Sequence, residues 1–138
     1  MVFAGDGPDS GALRSLIEEH RISATLLPWC DPAPLYQALD ALVIPSRYEG
    51  LPLVMLEALA SGTAVLASDR DGMKDLLPAA WRFEPNNPVA LAATLTRFIQ
   101  QGRPAPAAEL VARVRDSMSL DAFRHAFAAT IRRLVSKP

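Results

Sequence analysis

Residues 41–68, ALVIPSRYEGLPLVMLEALASGTAVLAS, decide the fold of this 138-residue chain. Two short apolar runs, Ala41 to Ile44 and Thr63 to Ala67, read as buried strands, with a polar loop and one helix between them. Continuous apolar strands bounded by Pro and Gly belong to a parallel sheet covered on both faces. Ligands of such sheets bind outside the carboxyl ends of the strands. Glu49 stands in the loop at that end of the first strand, and Glu57 follows on the helix with seven residues between them.

The flanking sequence repeats the alternation. Met1 to Ala4 reads as a strand running into the turn Gly5-Asp6-Gly7-Pro8. Asp9 or Ser10 is placed to cap the next helix, whose Leu13, Leu16 and Ile17 share one face. Ala24 to Leu27 is a second strand, and a short helix over Pro34 to Asp40 leads into the central one. Beyond Ser68 the pattern predicts a helix near Met73 to Leu77 and a strand over Trp81 to Phe83. A helix opens at Asn87-Pro88, where Asn accepts free N–H groups and Pro sacrifices none, and runs to about Gln101. Another helix spans Ala105 to about Ser117. Ser119 caps the last, over residues 120–136, with Leu120, Phe123, Phe127, Ile131 and Leu134 along one face. Strand starts near 2, 24, 41, 63 and 81 make successive βαβ units. The fold class is α/β: a Rossmann-like parallel sheet with helices on both faces, in one domain over residues 1–138.

Half the residues are hydrophobic and 21% are charged, a soluble globular balance. No apolar run approaches the roughly 18 residues of a membrane span, and the first residues form no signal peptide. The single cysteine, Cys30, has no partner for an internal disulfide. The expected compartment is therefore the cytoplasm. A net charge of −1 argues for no particular polyanion partner, and no nucleic-acid partner is expected. It is unevenly spread: residues 1–101 hold 7 basic and 12 acidic side chains, and residues 102–138 hold 7 and 3. The basic tail reads as a solvated helix face, with contact to nucleic acid or, peripherally, to the inner face of an anionic membrane as the alternative.

Two carboxylates astride a helix start fit general acid and base work, metal binding, or recognition of hydroxyl pairs. Metal is discounted, since no His stands near and two oxygens are too few. Between the acids, Gly50-Leu51-Pro52-Leu53-Val54 opens a helix whose free N–H groups and positive dipole end suit a phosphate. An anion site flanked by hydroxyl acceptors describes a nucleotide-sugar pocket. The plainer alternative is that Glu49 is a dipole partner worth about 0.3–1 kcal/mol and Glu57 is simply solvated.

The run from Pro45 to Ala58, PSRYEGLPLVMLEA, resembles the Glu-x7-Glu signature of family-four retaining glycosyltransferases, which have the GT-B fold. Val2 to Pro8 is similar to that family's glycine turn, Ser61 to Val65 to its helix exit and next strand, and Phe83 to Pro88 to its run into a late helix. The resemblance covers about residues 1 to 136. It implies the carboxyl-terminal donor domain of a hexosyltransferase-type enzyme, binding a UDP-, GDP- or ADP-sugar in polysaccharide or glycoconjugate synthesis. By motif position, Glu49 is the catalytic-centre residue and contacts hydroxyls of the transferred sugar. Glu57 takes the ribose hydroxyls, and the N–H groups of Gly50, Leu51, Leu53 and Val54 serve the sugar and diphosphate. Pro52 has no N–H and only shapes the loop. Gly5, Trp29 and Asp31 lie where such enzymes hold the base. No metal and no cofactor are implied, because protein cations neutralise the leaving diphosphate.

Those cations mark the main departure. The family's Arg and Lys, its first donor-domain strand and its amino-terminal acceptor domain would all lie upstream of Met1. The chain alone is therefore expected to be inactive without that domain or a separate partner chain. At Asp71-Gly72 the family usually has two glycines near the sugar, and Asp71 adds a negative charge there. The other readings are a nucleotide-sugar-binding subunit of a split enzyme and a non-catalytic α/β interaction domain. A phospho-acceptor receiver domain is rejected, because the central strand ends in Ile44-Pro45-Ser46 and not in an Asp. Trp29 reads as a core or rim aromatic where it does not stack on a base. The stripe from Phe123 to Leu134 reads as core, or as a surface seeking a partner.

Overall fold

A computed structural model describes residues 1–135. They form two compact units, Met1–Pro32 and the chain from Ala33 onward. The first contains β1 (Val2–Ala4), α1 (Ser10–Glu19) and β2 (Thr25–Leu27). β1 and β2 pair in parallel, with Val2 opposite Thr25 and Ala4 opposite Leu27. Gly5 turns the chain at φ +126°, a conformation that costs a residue without Cβ nothing, while its N–H donates to the Leu27 carbonyl at 3.1 Å. Asp9 occupies the helix start but its side chain caps nothing. Ser10 bonds back to Gly7 instead: its hydroxyl donates to the Gly7 carbonyl at 2.8 Å and accepts the Gly7 N–H at 3.1 Å. No residue of α1 is buried.

The second unit opens with α2 (Pro32–Ala38) and β3 (Ala41–Ile44), followed by α3 (Leu53–Ala60), β4 (Ala64–Ser68) and α4 (Asp71–Lys74). A 3₁₀ turn (Ala79–Trp81), β5 (Arg82–Phe83), α5 (Pro88–Gln100), α6 (Ala108–Ser117) and α7 (Leu120–Val135) complete it. The three strands run parallel in the order β3-β4-β5. Every residue of β4 is buried, which explains its uninterrupted apolar sequence. α3 packs Met55, Ala58 and Leu59 into the same core, where Trp81 meets Phe98 edge-on at 6.2 Å. The α3-to-β4 turn is closed by Gly62 at φ +83°, with the Thr63 N–H reaching the Ala58 carbonyl at 2.9 Å.

Several boundaries differ from the sequence reading for local reasons. α4 starts at Asp71, not Met73, because the Arg70 carbonyl already accepts from the Met73 and Lys74 N–H groups. Trp81 lies in the 3₁₀ turn and not in the strand. α6 starts at Ala108, since Pro106 disfavours helical backbone at Ala105. The Asn87 cap is in place, its side chain accepting the Ala90 N–H at 2.9 Å. Ser119 likewise accepts the Ala122 N–H at 3.1 Å. Residue 136, the expected end of the last helix, lies outside the described residues. The expectation that the α7 stripe is core is corrected. No described residue of α7 is buried, and Phe123 and Phe127 stack on each other at 5.9 Å while more than half exposed.

Two contacts fix the parts of this unit that bear on function. Tyr36 on α2 is buried, its hydroxyl donating to Glu57 Oε2 on α3 at 2.9 Å and its carbonyl accepting from Thr63 Oγ1 at 2.7 Å. Gly72 on α4 lies against the loop before α3, so that an added Cβ would sit 1.8 Å from the Gly50 carbonyl oxygen. Only a residue without a side chain permits that approach.

Burial, the hydrogen bond to Glu57 and the repulsion of its charge, in that order, push the Tyr36 hydroxyl from 10.0 up to about 12. A folded-state value above the unfolded one means that the contribution is complete below about pH 10 and is lost as pH rises through 12. Urea unfolding across that window is expected to show a fall in stability for the native chain that Tyr36→Phe lacks. For Gly72→Ala the clash is with backbone, and a loss of roughly 1–3 kcal/mol is expected. Gly50→Ala, whose added carbon meets open space, is expected to stay within about 0.5 kcal/mol in the same measurement.

Candidate functional site

The loops that leave the carboxyl ends of β3 and β4 face each other across an open groove of about 470 Å³. Arg47, Tyr48, Glu49 and Gly50 line it from the first loop, and Arg70 and Asp71 from the second. This is where a parallel sheet leaves room for a ligand. Main chain sets the spacing of the two loops where Gly72 packs on Gly50, itself a lining residue.

Glu49 is positioned by a short relay that begins in the core. Ser68 ends β4 fully buried, and its hydroxyl lies 2.5 Å from the Ser46 carbonyl and 3.3 Å from that of Ile44. That ties the first residues after β3 to the end of β4. The Ser46 hydroxyl then donates to Glu49 Oε1 at 2.9 Å. One carboxylate oxygen is thus engaged, while the residue itself is exposed and can accept from a ligand.

From Gly50 the chain passes through Leu51 and the buried Pro52 into α3. Pro52 is the residue at the helix start and supplies no side-chain cap. The Met55 N–H turns back to the Pro52 carbonyl at 3.1 Å, whereas those of Leu53 and Val54 precede any carbonyl the helix can offer. Leu51, Leu53 and Val54 are all exposed, which leaves this end of the helix open to an anion. At the other end, the Arg115 guanidinium from α6 donates to the Ala60 carbonyl, a cation on the negative pole of the same helix.

The structure therefore brings Glu49 and Gly50 together in one groove, with Leu51, Leu53 and Val54 leading away from it. Glu57 is not part of the groove lining. It stands exposed a turn into α3, one oxygen held by Tyr36. Gly5, Trp29 and Asp31 belong to the first unit, past the ends of β1 and β2. There the Trp29 N–H donates to Asp6 Oδ2 at 3.3 Å, and the Trp29 side chain is 80% exposed, a rim aromatic and not a core one. Among the described residues no three His, Cys, Asp or Glu side chains converge as metal ligands.

Three participants escaped the sequence reading. Arg47 and Arg70 had a signal in their places, since each follows a strand's carboxyl end. Tyr36 had none: its spacing with Leu35 and Leu39 reads as an apolar face, and nothing in it announces a hydroxyl aimed at Glu57.

Comparison with known proteins agrees with this architecture. The family described as glycosyl transferases group 1 matches residues 1–101. EpsF of Bacillus subtilis (strain 168), which carries a provisional glycosyltransferase name, is 31% identical over 110 residues, 75% of this chain and 29% of the relative. The sucrose-phosphate synthase from Thermosynechococcus elongatus superposes with a TM-score of 0.84 at 24% identity, over 98% of this chain and 38% of the other. Anabaena Alr3699/HepE, solved in complex with UDP and glucose, gives 0.81 at 19% identity, over 96% and 40%. The α/β architecture with parallel strands matches these GT-B structures, while the chain spans well under half the length of each. With the family matching about three-quarters of its residues, the chain belongs to the glycosyl transferases group 1 family.

Proposed function

We propose that this chain supplies the donor-binding part of a retaining glycosyltransferase, and that the groove beyond β3 and β4 receives the sugar end of a nucleoside diphosphate sugar. The observation that carries this reading is the meeting of Glu49, Gly50, Arg70 and Asp71 in one groove whose wall leads into the open amino end of α3. Glu49 takes hydroxyls of the transferred sugar. The N–H groups of Gly50, Leu51, Leu53 and Val54 take sugar and phosphate oxygens, and Glu57 takes the ribose hydroxyls. Membership of a glycosyltransferase family supports the reaction class, and the UDP and glucose bound to HepE support the ligand class. The base-holding role of Gly5, Trp29 and Asp31 rests on the sequence resemblance alone.

In the transfer, the anomeric carbon exchanges its bond to the diphosphate for one to an acceptor hydroxyl on the same face. The acceptor's proton leaves with the phosphate. The acceptor, a growing polysaccharide or glycoconjugate, is held by an amino-terminal domain or a separate partner chain, at the cytoplasmic face of a membrane. Protein cations, with no metal and no cofactor, balance the leaving group.

Titration of the chain with UDP-, GDP- and ADP-sugars tests the donor assignment. One series is expected to bind, with Glu57→Gln weakening both the nucleotide sugar and the free nucleoside diphosphate about tenfold. Glu49→Gln is expected to weaken the nucleotide sugar and to spare the free nucleoside diphosphate. Absence of binding to all three in a folded sample would sink the reading, and an unchanged affinity in Glu57→Gln would remove the ribose contact.

A further inference from the structure

Four charged side chains line the groove, two of each sign: Arg47 and Arg70, Glu49 and Asp71. None is ion-paired among the described residues. Elsewhere, Arg82 pairs with Asp69, Arg103 with Asp40, and Arg124 with Asp121. Glu49 bonds to the Ser46 hydroxyl and to no cation. Arg70 is half-buried, and its Nε, shielded from water, has no hydrogen-bond partner. A guanidinium that has given up part of its hydration without gaining a carboxylate is costly in an empty groove. A ligand carrying anionic oxygens removes that cost.

The backbone anchors the two loops that carry these charges. Arg70 is held at the amino end of α4, its carbonyl accepting from Met73 and Lys74 at 3.1 and 3.0 Å. Two residues on, Gly72 rests against Gly50, which fixes the spacing between the two loops. Arg47 comes from the opposite loop and is exposed. The two arginines thus reach the groove from different loops. Gly50, which leads to the free N–H groups of α3, lines the same groove. An anion there meets planar donor forks from both loops as well as the positive end of the helix.

We propose that Arg47 and Arg70 are the anion-binding pair of this groove and hold a phosphate of the donor's leaving diphosphate, an assignment that rests on the nucleotide-sugar reading above. Glu49 and Asp71 then repel phosphate from the sugar end and accept its hydroxyls, so the charges divide the groove and set the ligand's direction. As the bond to the anomeric carbon breaks, negative charge grows on the diphosphate, and fixed cations facing it stabilise that change. On this reading part of that charge stabilisation lies within the chain's own groove. A carboxylate on the transferred sugar is the other anion of matching chemistry.

The test compares Arg47→Met, Arg70→Met, Arg70→Lys and, as a control on α7, Arg124→Met. The probes are UDP, GDP, ADP, their parent nucleosides, and the glucose and glucuronic acid derivatives of whichever diphosphate binds. Ligand-observed NMR reads affinity, and circular dichroism checks the fold. Loss of either groove arginine is expected to weaken the diphosphate about ten- to hundredfold, leave the nucleoside unchanged and reduce the sensitivity of binding to salt. Arg70→Lys is expected to recover part of the loss, and Arg124→Met to have no effect. Unchanged diphosphate affinity in both Met variants overturns the assignment, as does an equal loss for nucleoside and diphosphate. A loss confined to the glucuronic acid derivative overturns it in favour of the sugar carboxylate. If no diphosphate binds the native chain, the nucleotide-sugar reading itself falls. Binding that survives removal of both arginines overturns only the present assignment. Because Arg47 lies on an exposed loop, its variant decides the matter even where an Arg70 variant folds poorly.

Discussion

The Ser68 hydroxyl, buried at the end of β4, is the interaction on which the candidate site depends. It ties that strand to the Ser46 and Ile44 carbonyls at the end of β3. A free carbonyl in this interior would be expensive, and a hydroxyl on the neighbouring strand satisfies it at the point where the ladder stops. The effect reaches outward. With the Ser46 main chain fixed, its side chain can hold Glu49, and the loop returns to the fully buried core through Pro52 and Met55. The polar groove is thus suspended from an apolar strand.

A second layer of order comes from helix ends. α3 has its carboxyl end answered by Arg115 and the Gly62 turn, while its amino end has no side-chain cap. α5, by contrast, is capped by Asn87. Uncapped and beside the groove, the amino end of α3 leaves its first N–H groups to whatever occupies that groove. Tyr36 adds a constraint of the same kind. It holds one oxygen of the exposed Glu57, converting a surface carboxylate into one of fixed orientation.

Legibility in the sequence followed the range of the interactions. β3 and β4 were visible because burial on both faces demands continuous apolar runs, and α5 because Asn87-Pro88 is a local chemical signal. The helix start at Leu53 and the acids at 49 and 57 were visible for the same reason. What remained hidden depended on contacts between distant residues. The start of α4 is set by the Arg70 carbonyl, and the bond from Tyr36 to Glu57 joins separate helices. Arg47 and Arg70 are 23 positions apart and meet only because β3 and β4 lie side by side. The stripe on α7 failed differently: amphipathic spacing shows that a face is apolar, and says nothing of whether this chain covers it.

The contact between Gly72 and Gly50 separates the shape of the groove from its chemistry. Its width is a property of two stretches of main chain, so the side chains at 47, 70 and 71 are not wedges that keep it open. Each can change in size or charge without moving the opposite wall. A lineage carrying this scaffold can therefore shift its selectivity one substitution at a time, sampling new ligands while the frame that presents them stays the same.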